Sequence, residues 1–536
     1  MVDLRANIFS QGVNGSATGV SGRLQRTGTS MLRFGVCAVR VETGAWVGKL
    51  LSSPMRFASI LAIIFIYYLF LLSNGTFALF VPELLSRVFD NMLVHLLRGE
   101  FTVDRDVIDF EAFTRNGKTY TYFGIFPALL RLVAMPFTNI AHVELARASC
   151  LTAVVIFVGL QLRMLLNVHK SLPPAIRASD FLAVMAAATV LSGPQLYILG
   201  TAEIYQEAIL WSAAQAAAFN LIVLRAALRP HGLRSRDLVF LAILAGLAIN
   251  TRPTIGVALY LGTVLLVMWM AWRQHRPEWL SSVSGISVRS AVWALVRDPS
   301  ILRPIVVLGL LGAAAGLVNF ERWGNPLTFA DFHYNYWIQR SHSRIAALEN
   351  YGDINLGRIW IGALYYGTGL PYVLRDVPPF DEYLRARLTA IEAPPIIPLF
   401  TNPLTILLAG IGLYYLWSRP QLPAPDGAAI LRFALIGNAS AAVLIFAAGG
   451  LAMRYRFDLA PFMTLAALVG YRSISLTAAE SSQTRRKRVR IAAIGLCVLG
   501  ILVSHYVLLI HKVWSIGEPM EIRRALAVFA PFAFKP

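Results

Sequence analysis

FASILAIIFIYYLFLLSNGTFALF, residues 57–80, runs almost directly into PELLSRVFDNMLVHLLRGEFTVDRDVIDFEAFTRNGKTYTYFGIFP, residues 82–127. The first string is long and apolar enough to cross a bilayer as a helix, which takes about 20 residues. The second gathers Glu83, Asp90, Glu100, Asp104, Asp106, Asp109 and Glu111 within one short span. An apolar run followed by a carboxylate-rich loop sets the fold class and draws attention to the membrane surface.

The same pattern of apolar runs recurs along all 536 residues. The chain is 57% hydrophobic and 14% charged, with a mean hydropathy of +0.60. Soluble domains carry roughly 25% charged residues, so this chain belongs with polytopic membrane proteins. Helices satisfy their own backbone in lipid, and the short alternating strands of a membrane barrel are absent from the pattern. Further spans are expected at about 147–166, 181–199, 205–224, 238–250, 254–272, 304–320, 398–417, 429–449, 459–476 and 491–510, about eleven with the first. The stretch 120–137, interrupted by Pro127, Arg131 and Pro136, reads as a helix lying at the interface.

The formal net charge is +19. Its basic residues fall mostly in alternate loops, among them Lys170 and Arg177, Arg229 and Arg234, Arg289, Arg297 and Arg303, and the Arg485–Arg490 run. Such alternation is the positive-inside signature and argues topology rather than nucleic-acid binding. It places the N-terminus in the cytoplasm and two large segments, 82–146 and 321–397, on the outer face. The expected organisation is a basic cytoplasmic tail over 1–56, a membrane domain over 57–510, and a short outer tail over 511–536. An organellar transit peptide shares the basic, Ser/Gly-rich flavour of the first segment. Cys37, Cys150 and Cys497 have neither disulfide nor zinc spacing.

The candidate chemistry lies at the outer ends of the spans. Asp90 falls on an amphipathic helix with Val88, Met92, Leu93 and Leu96, which Gly99 ends. A partly desolvated carboxylate there suits a general base; the structural alternative pairs it with Arg87 or Arg98. Glu203 and Glu207, in GTAEIYQEAILW (200–211), share one helix face at the hydrocarbon edge, where carboxylates are costly. Arg252, in NTRP, offers a planar fork suited to phosphate oxygens. Arg454, Arg456 and Asp458 form a third cluster in MRYRFDLAPF (453–462), where Arg456 and Asp458 also suit mutual neutralisation. No phosphate loop, zinc-protease or dinucleotide motif occurs, and His95, His333 and His342 lack ligand spacing, so no metal ligand is assigned. The loop carboxylates leave room for a divalent ion without requiring one.

In order and context these motifs resemble the GT-C superfamily of membrane glycosyltransferases over roughly residues 57–510. The resemblance rests on FDNMLVHLLRG and NGKTYTYFGIFPALLRL in the first outer loop, on GTAEIYQEA, on GLAINTRPT, and on NFERWGNPLTF and RYRFDLAPF. It is strongest toward aminoarabinose-transferase-like and protein-mannosyltransferase-like members. It implies an all-helical membrane fold with interfacial helices in the first outer loop. It also implies inverting transfer of a sugar from a polyprenyl-phosphate donor to a glycan, lipid or protein acceptor at a cell-envelope membrane, the bacterial inner membrane being the expected one. Carried over residue by residue, Asp90, Glu83 and Glu207 become the acidic candidates, with Asp109 and Glu111 behind them. Arg252, Arg454 and Lys118 become the phosphate-binding candidates, although Lys118 does not align cleanly with the loop lysine of the family. The family spacing to the loop glycine favours Glu83, while residue identity favours Asp90. The alternative from another class is a transporter or flippase for a lipid-linked or anionic substrate, which would show broken helices near mid-membrane.

Overall fold

A computed structural model describes residue 48 and residues 51–177, 180–281, 298–392, 398–420 and 422–516. Most of the expected N-terminal tail, the distal part of the C-terminal tail, Arg289 and Arg297 lie outside the described residues. So does most of the proline-rich run at 393–400.

The molecule is a helical membrane protein. Nine helices among the described residues are long and apolar enough to cross a bilayer. They are Pro54–Leu72, Ala146–Lys170, Phe181–Ile198, Ile204–Leu228, Pro253–Gln274, Pro299–Trp323, Gly427–Ala447, Met453–Ala479 and Gln483–Lys512. The expected spans at 238–250 and 398–417 correspond to shorter helices, Ser235–Ile249 and Pro403–Ser418. At 1.5 Å per residue these reach only about 22–24 Å, so nine rather than eleven meet the length criterion. Two further boundaries differ from expectation. The first helix stops at Leu72, where Asn74, Gly75 and Phe77 take positive φ, and the last continues to Ile516.

Helix direction alternates along the chain, so the acidic loop, the 324–392 segment and the turns at 199–203, 250–252 and 448–459 gather at one end. Phe126 N donates to Asn250 O at 2.9 Å, and Asn355 N donates to Ala447 O at 2.9 Å, tying these pieces together. Basic residues mark the opposite end, where Arg273 pairs with Asp426 at 2.6 Å and Arg229 with Asp237 at 3.2 Å.

Within the first loop, the Val88–Leu97 helix buries Val88, Phe89, Met92 and Leu93 against Ile108, Phe123, Ala128 and Tyr205. Gly99 follows it at φ +76°, as a residue lacking Cβ allows. A hairpin pairs Phe113–Arg115 with Lys118–Tyr120. Its Asn116 and Gly117 take φ +51° and +73°, the two positive values of a type I′ turn. The 120–137 stretch contains only the short helix Phe126–Leu130 and a 3₁₀ turn at Arg131–Val133, so it does not span. Leu132, Val133 and Phe137 lie exposed beside it, the surface an interfacial segment would present to lipid.

The two outer segments form one layer. Phe113 packs edge-on to Trp323 at 5.4 Å and Tyr336 N donates to Ala112 O at 3.0 Å. Arg322, 2% exposed, donates to Phe123 O at 2.8 Å. Farther along, Ala390–Ile391 pairs in parallel with Gly450–Leu451, which fixes the second segment to the 448–459 turn.

Candidate active site

The sequence candidates separate into two clusters. The first is a buried ion triad. Arg131 Nε donates to Asp90 Oδ1 at 2.7 Å, and its Nη2 donates to Glu207 Oε2 at 2.9 Å while Nη1 bonds Glu207 Oε1. Ser149 Oγ donates to Glu207 at 2.5 Å and receives Trp211 Nε1 at 2.9 Å. Asp90, Arg131 and Glu207 are 1%, 2% and 0% exposed, so none of them meets solvent. The partner of Asp90 is thus Arg131, not Arg87 or Arg98. Arg87 instead donates to Ala141 O at 2.5 Å. Two carboxylates share one guanidinium here, and Asp90 Oδ2 has no partner among the described residues. Burial raises the Asp90 carboxyl to about 6, against the pull of Arg131 and with Glu207 adding to the rise. Arg131 was legible as an interruption in an apolar run, and an ionisable residue in such a run is by default a candidate for a partner.

Glu83 is also spoken for. Arg147 Nε donates to its Oε1 at 2.6 Å. Lys118 sits exposed on the hairpin, and Asp109 is exposed with its backbone at φ +45°. Among the described residues, Asp90 and Glu83 pair with Arg131 and Arg147, whereas Arg252 and Arg454 pair with Asp458 and Glu392.

The second cluster surrounds Arg454. Its guanidinium lies over the Tyr205 ring at 4.1 Å, and Nη1 donates to Glu392 Oε1 at 2.6 Å. Tyr205 in turn donates its hydroxyl to Glu111 Oε1. Glu111 is therefore the loop carboxylate joined to Arg454, through one tyrosine ring. Burial raises its carboxyl above the ordinary range, while the Tyr205 hydrogen bond and the Arg454 charge pull the other way. Behind it, Arg252 Nε donates to Asp458 Oδ1 and Oδ2 at 2.8 and 2.9 Å, and Thr254 Oγ1 donates to Asp458 at 2.8 Å. Asp458 thus pairs with Arg252 rather than Arg456. Tyr455 lies under Arg252 at 4.8 Å. Tyr205 and Glu392 escaped sequence reasoning. Tyr205 sits between the two glutamates that drew notice, and Glu392 borders a proline-rich run with no motif of its own.

A cavity of about 1210 Å³, part of it open to the surroundings, leads to this cluster. Its walls come from the Ala146–Lys170, Phe181–Leu191, Pro194–Ile198, Pro403–Ser418, Ala460–Ala479 and Gln483–Ile516 helices. The lining is mainly apolar, with Phe157, Met185, Ile406, Met463 and Leu468 along it. Arg454 and Arg456 are the cations of that lining among the described residues. Arg454 Nε is buried without a partner among the described residues. The wall helix breaks at Ser192–Gly193, where Gly193 takes φ +109°, and Ser504 Oγ receives the Gly193 N–H at 2.9 Å. An apolar tunnel ending on guanidinium groups can hold a long hydrocarbon with an anionic head. Among the described residues, no group of three or more His, Cys, Asp or Glu side chains is arranged to hold a metal ion.

No protein-family model matches the chain, and no curated protein matches it. Solved structures similar to it include ArnT from Cupriavidus metallidurans bound to undecaprenyl phosphate. That match has 12% identity over 91% of this chain and 74% of the other, at a TM-score of 0.42. The archaeal oligosaccharyltransferase AglB from Archaeoglobus fulgidus, in complex with an inhibitory peptide and a dolichol-phosphate, is similar at 14% identity and a TM-score of 0.45. Its match covers 88% of this chain and 57% of that one, so the chain spans little more than half of AglB.

Proposed function

We propose that this protein is an integral-membrane glycosyltransferase that takes a sugar from a polyprenyl-phosphate donor. The observation that carries the proposal is the apolar cavity ending at Arg454 and Arg456, with the Glu111–Tyr205 pair beside that end. The polyprenyl chain occupies the apolar walls, and the phosphate meets the guanidinium groups. The acceptor hydroxyl or amine attacks the anomeric carbon as the bond from that carbon to the phosphate oxygen breaks. The electron pair leaves with polyprenyl phosphate, whose added charge Arg454 and Arg456 stabilise. Glu111, whose carboxyl burial raises above its ordinary value, accepts the proton of the acceptor. One displacement with one base inverts the anomeric centre.

Asp90 and Glu207 act in this proposal as positioning residues, since their triad fixes the first loop to the Ile204–Leu228 helix. Arg252 holds Asp458 and backs Tyr455 rather than meeting phosphate directly. Of the carboxylates near the cavity end, Glu392, Asp458 and Glu111 are held by Arg454, Arg252 and Tyr205. No step of this proposal is routed through a divalent ion. The site end faces the outside of a cell-envelope membrane, with the N-terminus cytoplasmic and 1–56 as a tail, as the positive-inside pattern supports. The acceptor is a glycan, lipid or protein.

The broken helix at Gly193, which lines the cavity, favours a second reading, a flippase or transporter of the same lipid-linked substrate. One assay separates the two. Full-length protein in lipid nanodiscs is given labelled polyprenyl-phosphate sugars and a panel of acceptors. Acceptor-dependent release of polyprenyl phosphate, lost in Arg454→Gln, supports the transferase. Movement of intact donor across a vesicle wall with no release would replace it by the transporter.

A further inference from the structure

A second cavity, of about 580 Å³, opens in the 324–392 segment and takes no part in the site above. Its lining brings together Arg344, Arg375 and Arg385 with Asp376 as the single carboxylate. Three guanidinium groups against one carboxylate leave the cavity positively charged. Two of the three arginines are stacked on aromatic rings, and the third, Arg385, is 67% exposed. Arg344 lies over the Trp337 ring at 4.8 Å and Arg375 over Tyr372 at 4.1 Å. A guanidinium whose face is stacked still presents its in-plane N–H fork, which matches carboxylate and phosphate oxygens. Asp376, 64% exposed, meets Arg375 Nε at 3.1 Å and Arg385 at 3.6 Å. That is an exposed pairing of small energetic weight, open to exchange for a ligand oxyanion.

One wall of this cavity is formed by Thr389 and the strand Ala390–Ile391. Thr389 N donates to Gly449 O at 2.9 Å, and Ala390 and Ile391 pair with Gly450 and Leu451. The next residue, Glu392, holds Arg454 at 2.6 Å. Three residues of extended chain span about 10 Å, so the wall of the cationic cavity runs into the end of the donor cavity. Arg358, 1% exposed and outside the cavity lining, donates Nε to Arg387 O at 2.7 Å, and its Nη2 is unpartnered among the described residues.

We infer that this cavity is the acceptor subsite, and that it selects an acceptor saccharide bearing a phosphate or carboxylate. The inference rests on the glycosyltransferase proposal for its catalytic meaning, while the anion site stands on its own geometry. The oxyanion docks against Arg344, Arg375 and Arg385, and the acceptor hydroxyl extends along Thr389–Glu392 toward Glu111.

Binding to the full chain in nanodiscs tests it, with glucose 6-phosphate and trigalacturonic acid as anionic probes and maltotriose as the neutral control. Both anionic sugars are expected to bind, more weakly as salt rises, and maltotriose is not. The triple variant Arg344→Gln, Arg375→Gln, Arg385→Gln should lose about tenfold or more in affinity for the anionic probes. The corresponding triple Lys variant should recover part of it, which excludes misfolding as the cause. Equal binding of maltotriose, or unchanged affinity in a triple Gln variant that melts with the wild type, overturns the inference. Displacement of glucose 6-phosphate by vesicles carrying phosphatidylinositol 4-phosphate assigns the site to a lipid-borne acceptor, and failure to displace it assigns a free saccharide. Polyprenyl phosphate binding is measured in parallel. Its absence beside intact anionic-sugar binding defeats the donor proposal alone, and the reverse pattern defeats this subsite alone.

Discussion

At the residue scale, the two glutamates and the aspartate that stand out in the sequence have different environments. Asp90 and Glu207 share Arg131 out of contact with solvent, whereas Glu111 is only half-buried and joins Arg454 through Tyr205. Replacement experiments should separate these roles. Glu111→Gln is expected to lower the transfer rate by roughly 10²–10⁴-fold, the usual worth of a general base, while leaving the melting temperature close to wild type. A full rate in Glu111→Gln would move the base elsewhere. The triad should instead show itself as stability. With its carboxyl raised from 3.8 to about 6, Asp90 holds a proton in the folded state over a range in which the unfolded chain has lost it. The folded state therefore binds more protons in that window, and stability falls as pH rises from about 4 to about 6. The full shift corresponds to about 3 kcal/mol. Asp90→Asn mimics the protonated form, so its stability relative to wild type should grow by up to that amount across the window. Parallel pH profiles in thermal unfolding would remove this account. Arg131→Met strands two buried carboxylates and should cost about 3–5 kcal/mol, read by the same melting experiment.

Among the elements, the walls of the larger cavity depend on two helices meeting backbone to backbone. A Cβ on Gly412 would lie 1.9 Å from Ala466 O, and one on Gly470 would lie 2.0 Å from Leu408 O. The Pro403–Ser418 and Ala460–Ala479 helices can approach so closely only because both positions lack side chains, as small residues permit in membrane bundles. Gly412→Ala should therefore cost about 1–3 kcal/mol by overpacking, despite the better helix propensity of alanine. Because the same helices carry Ile406 and Met463 into the cavity, binding of a polyprenyl phosphate should weaken along with stability. Calorimetric unfolding together with lipid binding checks it, and a stabilised variant with unchanged binding would contradict the packing argument. The short interfacial elements, by contrast, hold position through specific contacts. Phe126 is pinned to Asn250 by a backbone hydrogen bond, and Arg322 reaches Phe123 O.

For the whole molecule, the arrangement of charges predicts sidedness. Lys118 is exposed at the end that carries the acidic loop and Arg454, and Arg488 is exposed at the start of the last helix, near the opposite end. Single cysteines at the two positions, in a background with the native cysteines replaced, should respond differently to a membrane-impermeant maleimide. Lys118→Cys should label in intact cells or right-side-out vesicles, and Arg488→Cys only after permeabilisation. The reverse result would invert the proposed orientation and place the transfer reaction in the cytoplasm. Much of this scale was legible without coordinates. Apolar run length and loop charge sufficed for the helical membrane class, for the positions of the nine long helices, and for the gathering of the acidic loop, GTAEIYQEA, NTRP and RYRFD at one end. These follow from hydrocarbon thickness and from charge asymmetry, both one-dimensional properties of a chain. Which side chains touch is a different kind of fact. The pairing of Asp90 with Arg131 instead of Arg87, of Asp458 with Arg252 instead of Arg456, and the joining of Glu111 to Arg454 through Tyr205 depend on helix rotation and on how the two outer segments interlock. Sequence separation carries no information about contacts 41, 206 or 94 residues apart. Only tertiary packing, which must find a partner for every buried charge, decided them.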